Sequence, residues 1–228
     1  VLSELRDLID DLVRDGATWA TPEQRERAIG LALVRYSADR PREVVEDVTS
    51  AGGAALPLPT EWEPGESTLR SIETPLGADP LPSDAWRMYR APSGEEIRLQ
   101  GYVLMLGDVA RLTYSAPHVV SDTDNTIPRA HREAVACYAA SLLAEQIATA
   151  HAGTSDSTIA ADTVDHAHPA REWAKRAKEY RNRYFATLGV EITAQGIEKP
   201  SMDAAGVVVD LELPTLHGRG RMYRRQGR

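Results

Sequence analysis

His166-Ala167-His168 lies directly after Asp165 and four residues after Asp162, so imidazoles and carboxylates of metal-ligating type are gathered in seven residues. With a bound zinc such a set would serve a metal-dependent hydrolase. A zinc centre also needs a second ligand cluster at a recognisable spacing, and the chain supplies none. The preferred reading is a hydrogen-bonded connector in which Asp162 or Asp165 orients a histidine. Asp122, Asp124, Thr126 and Glu133 match positions 1, 3, 5 and 12 of a calcium loop, but Ile127 stands where the sharp turn requires glycine and Pro128 follows. The better fit is a polar cap, in which Asp122, Asp124, Asn125 or Thr126 satisfies the free amides at the start of a following helix.

Nucleophile and phosphate motifs fare no better. Gly153-Thr154-Ser155-Asp156-Ser157 is only a faint echo of G-x-S-x-G, and neither a phosphate-cradling G-x-x-x-x-G-K-[ST] nor a dinucleotide-binding G-x-G-x-x-G occurs. Cys137, the single cysteine, sits among Ala134, Val135, Ala136, Tyr138, Ala139 and Ala140, which suits a small core filler and not a nucleophile. The sequence therefore predicts no enzyme, no catalytic residue, no metal and no cofactor.

The elements that would position these residues are legible from periodicity. Leu5, Leu8, Ile9, Leu12 and Val13 form one stripe of a short helix that Gly16 can stop. Thr21-Pro22-Glu23-Gln24 combines a capping hydroxyl, a proline at the first helical position and a reciprocal Gln, predicting a second helix that turns Ala28, Ile29, Ala32, Leu33 and Tyr36 inward and ends before Pro41. From Pro41 to Pro117 prolines recur and the period changes to two. Ile97 and Leu99, then Ala110, Leu112 and Tyr114, alternate with polar residues as half-buried strands do, with Pro92-Ser93-Gly94 and Gly107-Asp108 as turns.

Two long helices follow. From about Ile127 to His151, alanines cover several faces, so close neighbours are expected all round. From about Ala170 to Leu188, Trp173, Ala177, Tyr180, Tyr184 and Leu188 face inward and Gly189 ends the run. The outer face carries Arg171, Lys175, Arg176, Lys178, Arg181 and Arg183, with Glu172 and Glu179 four residues before Arg176 and Arg183, a favourable orientation for helix pairs. The predicted fold is α+β: a helical bundle of two short N-terminal helices and two long ones in the C-terminal half, a small antiparallel β insertion, and an extended C-terminal arm. The boundaries are a body over 1–189, helical at about 1–38 and 126–189 with the insertion at about 41–120, and an arm over 190–228.

In the arm, Val207, Val209, Leu211 and Leu213 line one side of a strand that Pro214 ends, and such a strand needs a partner edge within the subunit or on a neighbour. Charge is divided unevenly along the 228 residues. The net value is −8, yet every Asp and Glu lies at or before Glu212, so a body at −13 precedes a tail at +5 made by Arg219, Arg221, Arg224, Arg225 and Arg228. Gly218, Gly220 and Gly227 free the tail's path, and Leu216, Met222 and Tyr223 are its apolar anchors; together with the five arginines they suit docking on a protein partner. The hydrophobic fraction of 42% and charged fraction of 26% are those of a globular chain, without an apolar run long enough to span a bilayer and without a secretory leader, so a soluble protein made in a cytoplasm is expected.

Two short helices, then Arg40-Pro41-Arg42-Glu43-Val44-Val45 opening a β unit, then Gly153-Thr154-Ser155-Asp156-Ser157-Thr158-Ile159-Ala160-Ala161-Asp162 between two long helices: this order resembles the head-to-tail adaptor (connector) proteins of tailed bacteriophages and related gene-transfer particles. The likeness covers about residues 1–189, and the connector and the Trp173/Tyr180/Tyr184 helix are its most characteristic parts. It implies a structural virion protein without enzyme activity, a ring of twelve copies under the portal protein at the head-tail junction. Double-stranded DNA would pass through without sequence-specific binding, and a neck, stopper or tail protein would dock below. Other readings of the same residues are a stopper or tail-terminator ring, a DNA-binding module using the Arg171 to Arg183 face and the arginine tail, or the metal-dependent hydrolase considered above.

Overall fold

The structure, a computed structural model, describes residues 2–14, 20–92, 94–153, 169–192 and 198–200. Four α-helices are present among them. α1 (Leu2–Leu12) buries Leu5 and Ile9. α2 (Pro22–Asp39) begins at the predicted box: the Gln24 amide donates to Thr21 Oγ1 at 3.3 Å while the Thr21 amide donates to Gln24 Oε1 at 2.8 Å, which satisfies two of the donors a helix start leaves free. α3 (Arg132–Gly153) follows a 3-10 turn at Arg129–His131, and α4 (Pro169–Thr187) runs out at Gly189, whose φ of +68° is the left-handed conformation that glycine adopts without strain.

α3 is the axis of this half. α1, α2 and α4 all pack on it, and Ala134, Val135, Ala136, Cys137, Ala139, Ala140, Leu143, Ala144 and Ile147 are buried over most of its circumference. Alanines make that possible because a side chain one carbon long lets three neighbouring backbones come close. Phe185, the only phenylalanine, is buried beside Tyr184 and receives the Arg35 guanidinium over its ring, whereas Tyr180 is half-buried and donates its hydroxyl to the Leu12 carbonyl at 2.6 Å.

The β half overturns the expected architecture. In place of a small insertion in a helical bundle there are two three-stranded antiparallel sheets with their own core. The first has the order β1 (Arg42–Gly53), β6 (Leu104–Ala116), β3 (Thr68–Glu73), and the second β2 (Ala55–Leu56), β5 (Gly94–Leu99), β4 (Trp86–Ala91). Val48, Leu69, Ile72, Ala110, Leu112 and Tyr114 from one sheet and Leu56, Ile97 and Leu99 from the other form a cluster separate from the helical one, with Trp62 under the intervening loop. The expected bounds of about 41–120 enclose both sheets, but strand β1 is blurred in the sequence. Its burial alternates throughout, yet the inward set of Val44, Glu46, Val48 and Ser50 is half polar and Val45 faces out, with Glu46 meeting a polar partner.

Two further expectations are corrected. Gly107-Asp108 is not a turn between strands but a β-bulge inside β6, where the register jumps from Thr49 opposite Val109 to Ala51 opposite Leu106 and Gly107 takes φ +91°. The arm does not leave as a plain extension: β7 (Val190–Ile192) and β8 (Glu198–Pro200) pair antiparallel.

Candidate docking surfaces

β1 and β6 form a long ribbon paired from Arg42 opposite Ala116 at its base to Gly53 opposite Leu104 at its tip. At that tip Tyr102, Val103, Met105 and Leu106 are exposed, the last three at 79%, 78% and 82% of their surface. Among the described residues the two cores form without these side chains, Leu104 alone of the run packing on the β core. A contiguous exposed apolar patch of this kind is the usual mark of an interaction site. The sequence carries a sign of it that periodicity arguments pass over: Tyr102 to Leu106 is an unbroken apolar run between Gly101 and Gly107, where the surrounding strands alternate. The bulge at Gly107 adds local twist and fixes the direction in which Met105 and Leu106 leave the ribbon, helped by the Met105 amide donating to Asp108 Oδ2 at 2.7 Å.

A second apolar surface lies at the other end of the ribbon. On α2, Leu31 and Val34 are exposed at 58% and 56% and stand three residues apart, on one helix face with the exposed Gly30 and Ala38. They fall outside the inward stripe of Ala28, Ile29, Ala32 and Tyr36. Beside them is a hollow of about 220 Å³ lined by Val34, Ser37, Ala38, Pro41, Gly65, Glu66, Ala116 and Pro117, where the helical half meets the ribbon base.

The meeting place is held by a polar cluster. His118 is buried; its Nε2 lies 2.9 Å from the Arg40 carbonyl, its Nδ1 3.1 Å from Thr126 Oγ1, and its backbone amide donates to Ser37 Oγ at 2.8 Å. Nδ1 also lies 3.1 Å from the Thr126 carbonyl, so both ring nitrogens face a backbone carbonyl and the neutral ring can donate to only one of them. Burial pulls the His118 pKa down, against the two backbone carbonyls, which favour the proton. Tyr36 and His131 share a 2.7 Å hydrogen bond alongside, and Tyr184 donates to Asp39 Oδ2 at 2.6 Å. Across the sheet, burial raises the Glu46 carboxyl but the Thr60 amide and hydroxyl and the Tyr114 hydroxyl outweigh it, so its pKa is lowered. Tyr114, buried and bonded to Glu46, is pushed up to about 12.

These groups are mutually satisfied connectors, each tied to backbone or to another element. Among the described residues no three His, Cys, Asp or Glu side chains stand together as a metal site, and no helix is long and apolar enough to cross a membrane. Asp122 and Asp124 are exposed in the loop before α3. Of the four predicted capping groups only Asn125 holds an amide near that helix, accepting from Ile127 at 2.8 Å, while Thr126 turns back to the Val119 amide. The 3-10 turn itself has no side-chain cap. Cys137 is 1% exposed, and burial raises its thiol pKa. On the basic face of α4, Arg181 reaches Glu145 of α3 and Arg176 covers the Trp173 ring, so part of that charge is engaged within the subunit.

The expected docking residues Leu216, Arg219, Arg221, Met222, Tyr223, Arg224, Arg225 and Arg228, and the strand residues Val207, Val209, Leu211 and Leu213, lie outside the described residues, as do Asp162, Asp165, His166 and His168. No protein-family model, curated protein or solved structure matches this chain.

Proposed function

We propose that this chain is a structural subunit of a tailed-phage particle, an adaptor that assembles as a ring beneath the portal, joins head to neck and lets DNA pass. The observation that supports an assembly role is the exposed tip of Val103, Met105 and Leu106 in a chain whose two cores are already filled. The particle itself is suggested by the order of sequence features, above all the connector at 153–162 between two long helices. In this reading the arginine-rich segment 214–228 docks on the portal, and the strand at 207–213 adds to a sheet edge of the same or a neighbouring subunit. The net negative charge of the body keeps passing DNA from sticking to the wall.

A reconstruction of the neck of the particle that contains this chain tests the reading. A closed ring of this subunit in contact with the portal is the expected result. A single copy, a position outside any ring, or a ring that touches only tail proteins would overturn it, the last in favour of a tail terminator.

A further inference from the structure

One sheet edge among the described residues differs from the rest. β4 is bonded on one side only, to β5. The Gln100 amide donates to the Ala85 carbonyl at 2.7 Å, which sets the parity of the ladder: Arg87, Tyr89 and Ala91 exchange bonds with β5, and Trp86, Met88 and Arg90 turn their N–H and C=O groups outward. The core face of the sheet also ends there uncovered. Ile97 is fully buried, while Met88, opposite it on the same face, stands 37% exposed. On the other face Arg87 lies opposite Arg98, and both guanidinium groups gather at the Tyr89 ring, 6.0 and 3.9 Å from its centroid. Like charges directly opposite each other are unfavourable in a sheet. Glu96 is bonded to Arg98, and among the described residues no carboxylate stands within ion-pair distance of Arg87.

Such an edge suits a strand that is apolar on one face and acidic on the other. Residues 207–213 are written that way: Val207, Val209, Leu211 and Leu213 alternate with Val208, Asp210 and Glu212. The other edges fit it poorly. β1 carries carboxylates on both faces, Glu43 and Asp47 outward and Glu46 inward, which would meet Asp210 and Glu212 as like charges. β3 has its Ile72 carbonyl taken by the Leu81 amide, and β2, β7 and β8 are two or three residues long.

Direction follows from where the chain arrives. Pro200 is paired with Val190, just after Leu188, whose carbonyl accepts from Arg40 at the ribbon base. The Arg90 end of β4 is the nearer one: Arg90 faces Glu95, Glu95 accepts from Trp62, and Trp62 packs on Tyr114, opposite Val44 in the basal part of the ribbon. The Trp86 end faces Leu99, whose amide donates to Ala54 beside the ribbon tip. A segment arriving from Pro200 therefore runs antiparallel to β4, and the seven residues to Val207 span roughly 23 Å when extended.

We propose that residues 207–213 add to the free edge of β4 in the same subunit, antiparallel, with Asp210 opposite Arg87, Leu211 opposite Trp86 and Val209 opposite Met88. The apolar face then covers Met88, and the Asp210 carboxylate offsets the arginine pair. This deepens the adaptor reading by naming the edge, and it rests on that reading only in taking 207–213 as a strand, since the pairing does not require a ring.

Disulfide trapping in the full chain tests it, with the native Cys137 buried and out of reach. Met88→Cys with Val209→Cys should form an intramolecular bond on mild oxidation, read as a linked peptide by mass spectrometry. Met88→Cys with Val208→Cys, one residue along and on the opposite face, should give about tenfold less. Arg87→Glu added to the first pair should lower the yield about fivefold, and Asp210→Arg added to that should restore it. Circular dichroism and a cooperative thermal transition report that each variant is folded. Equal yields at 208 and 209, no bond, or bonds only between copies would overturn the pairing, as would a yield indifferent to Arg87→Glu. An 88-to-209 bond in a chain that belongs to no phage neck would sustain the pairing and sink the adaptor role. A portal-bound ring whose subunits do not form that bond would do the reverse.

Discussion

The helical half and the β half solve the same problem in opposite ways. α3 keeps small residues so that α1, α2 and α4 can approach, and most of its middle is buried, with Glu145 and Gln146 left on the solvent side. The ribbon of β1 and β6 starts inside a core at Val48, Leu112 and Tyr114 and ends at a tip whose largest apolar side chains stand in water. One half is organised to be closed and the other to reach out. Hydrophobic residues in the first therefore carry stability, and those at the end of the second carry little of it.

That contrast is open to measurement. Leu143→Ala in α3 and Leu112→Ala in β6 both empty fully buried sites, and each should cost about 2–5 kcal/mol in denaturant unfolding. Coincident transitions by helix-sensitive and tryptophan-sensitive probes are expected if the polar cluster welds the halves into one cooperative unit; two separated transitions would show that it does not.

Removing the weld should matter less than emptying a core. His118→Ala leaves the Arg40 carbonyl and Thr126 without their partner and should cost about 1–3 kcal/mol. The same residue gives a pH signature. Its folded-state pKa is lowered by burial, so the unfolded chain takes up the proton first as acidity rises. Stability is then full above the ordinary imidazole pKa of about 6.5 and falls as pH drops through that value toward the lower folded one. Thermal unfolding of the parent between neutral and mildly acid pH should show this slope, and His118→Gln should flatten it. An equal slope in both would assign the dependence to other groups.

Much of this was readable in the residues, and the failures have physical causes. Thr21-Pro22-Glu23-Gln24 announced its helix because a capping box is a local arrangement that needs nothing distant. The alanines of α3 announced a closely packed helix because side chains of one carbon let neighbouring backbones approach, and three helices do pack on it. Strand β1 was hidden because it turns Glu46 inward, where Thr60, fourteen residues away, and Tyr114, sixty-eight away, satisfy it. The tip was hidden for a related reason. Tyr102 to Leu106 looks like core material, and only the folded chain shows that Val103, Met105 and Leu106 face solvent while Leu104 alone of the run packs on the β core. His118, the residue that joins the halves, gave no motif at all, since its partners are backbone carbonyls and hydroxyls spread from Ser37 to Thr126.

The closed half also predicts a chemical silence. Cys137, 1% exposed and with its thiol pKa raised, should react with a maleimide only through opening of the helical core. Its labelling in native buffer should be slower than in denaturant by a factor of about a thousand or more, and Leu143→Ala should narrow that gap. At the other extreme, Val103→Ser at the tip should leave the unfolding transition unchanged within about 0.5 kcal/mol. A larger loss would mean that the tip is packed in the free subunit after all.

The ribbon has a mechanical side. Because β1 and β6 run between the same two ends, a pull on the tip loads two covalent backbones in parallel and does not unzip the hydrogen bonds between them. The strain arrives at Arg40 and His118, where the two strands are strapped to the helices by bonds that cross from one to the other. A tension applied at a distance of roughly 35 Å is thus delivered to the ends of α2 and of the loop before α3, making the ribbon a tie-rod and the buried histidine its anchor bolt.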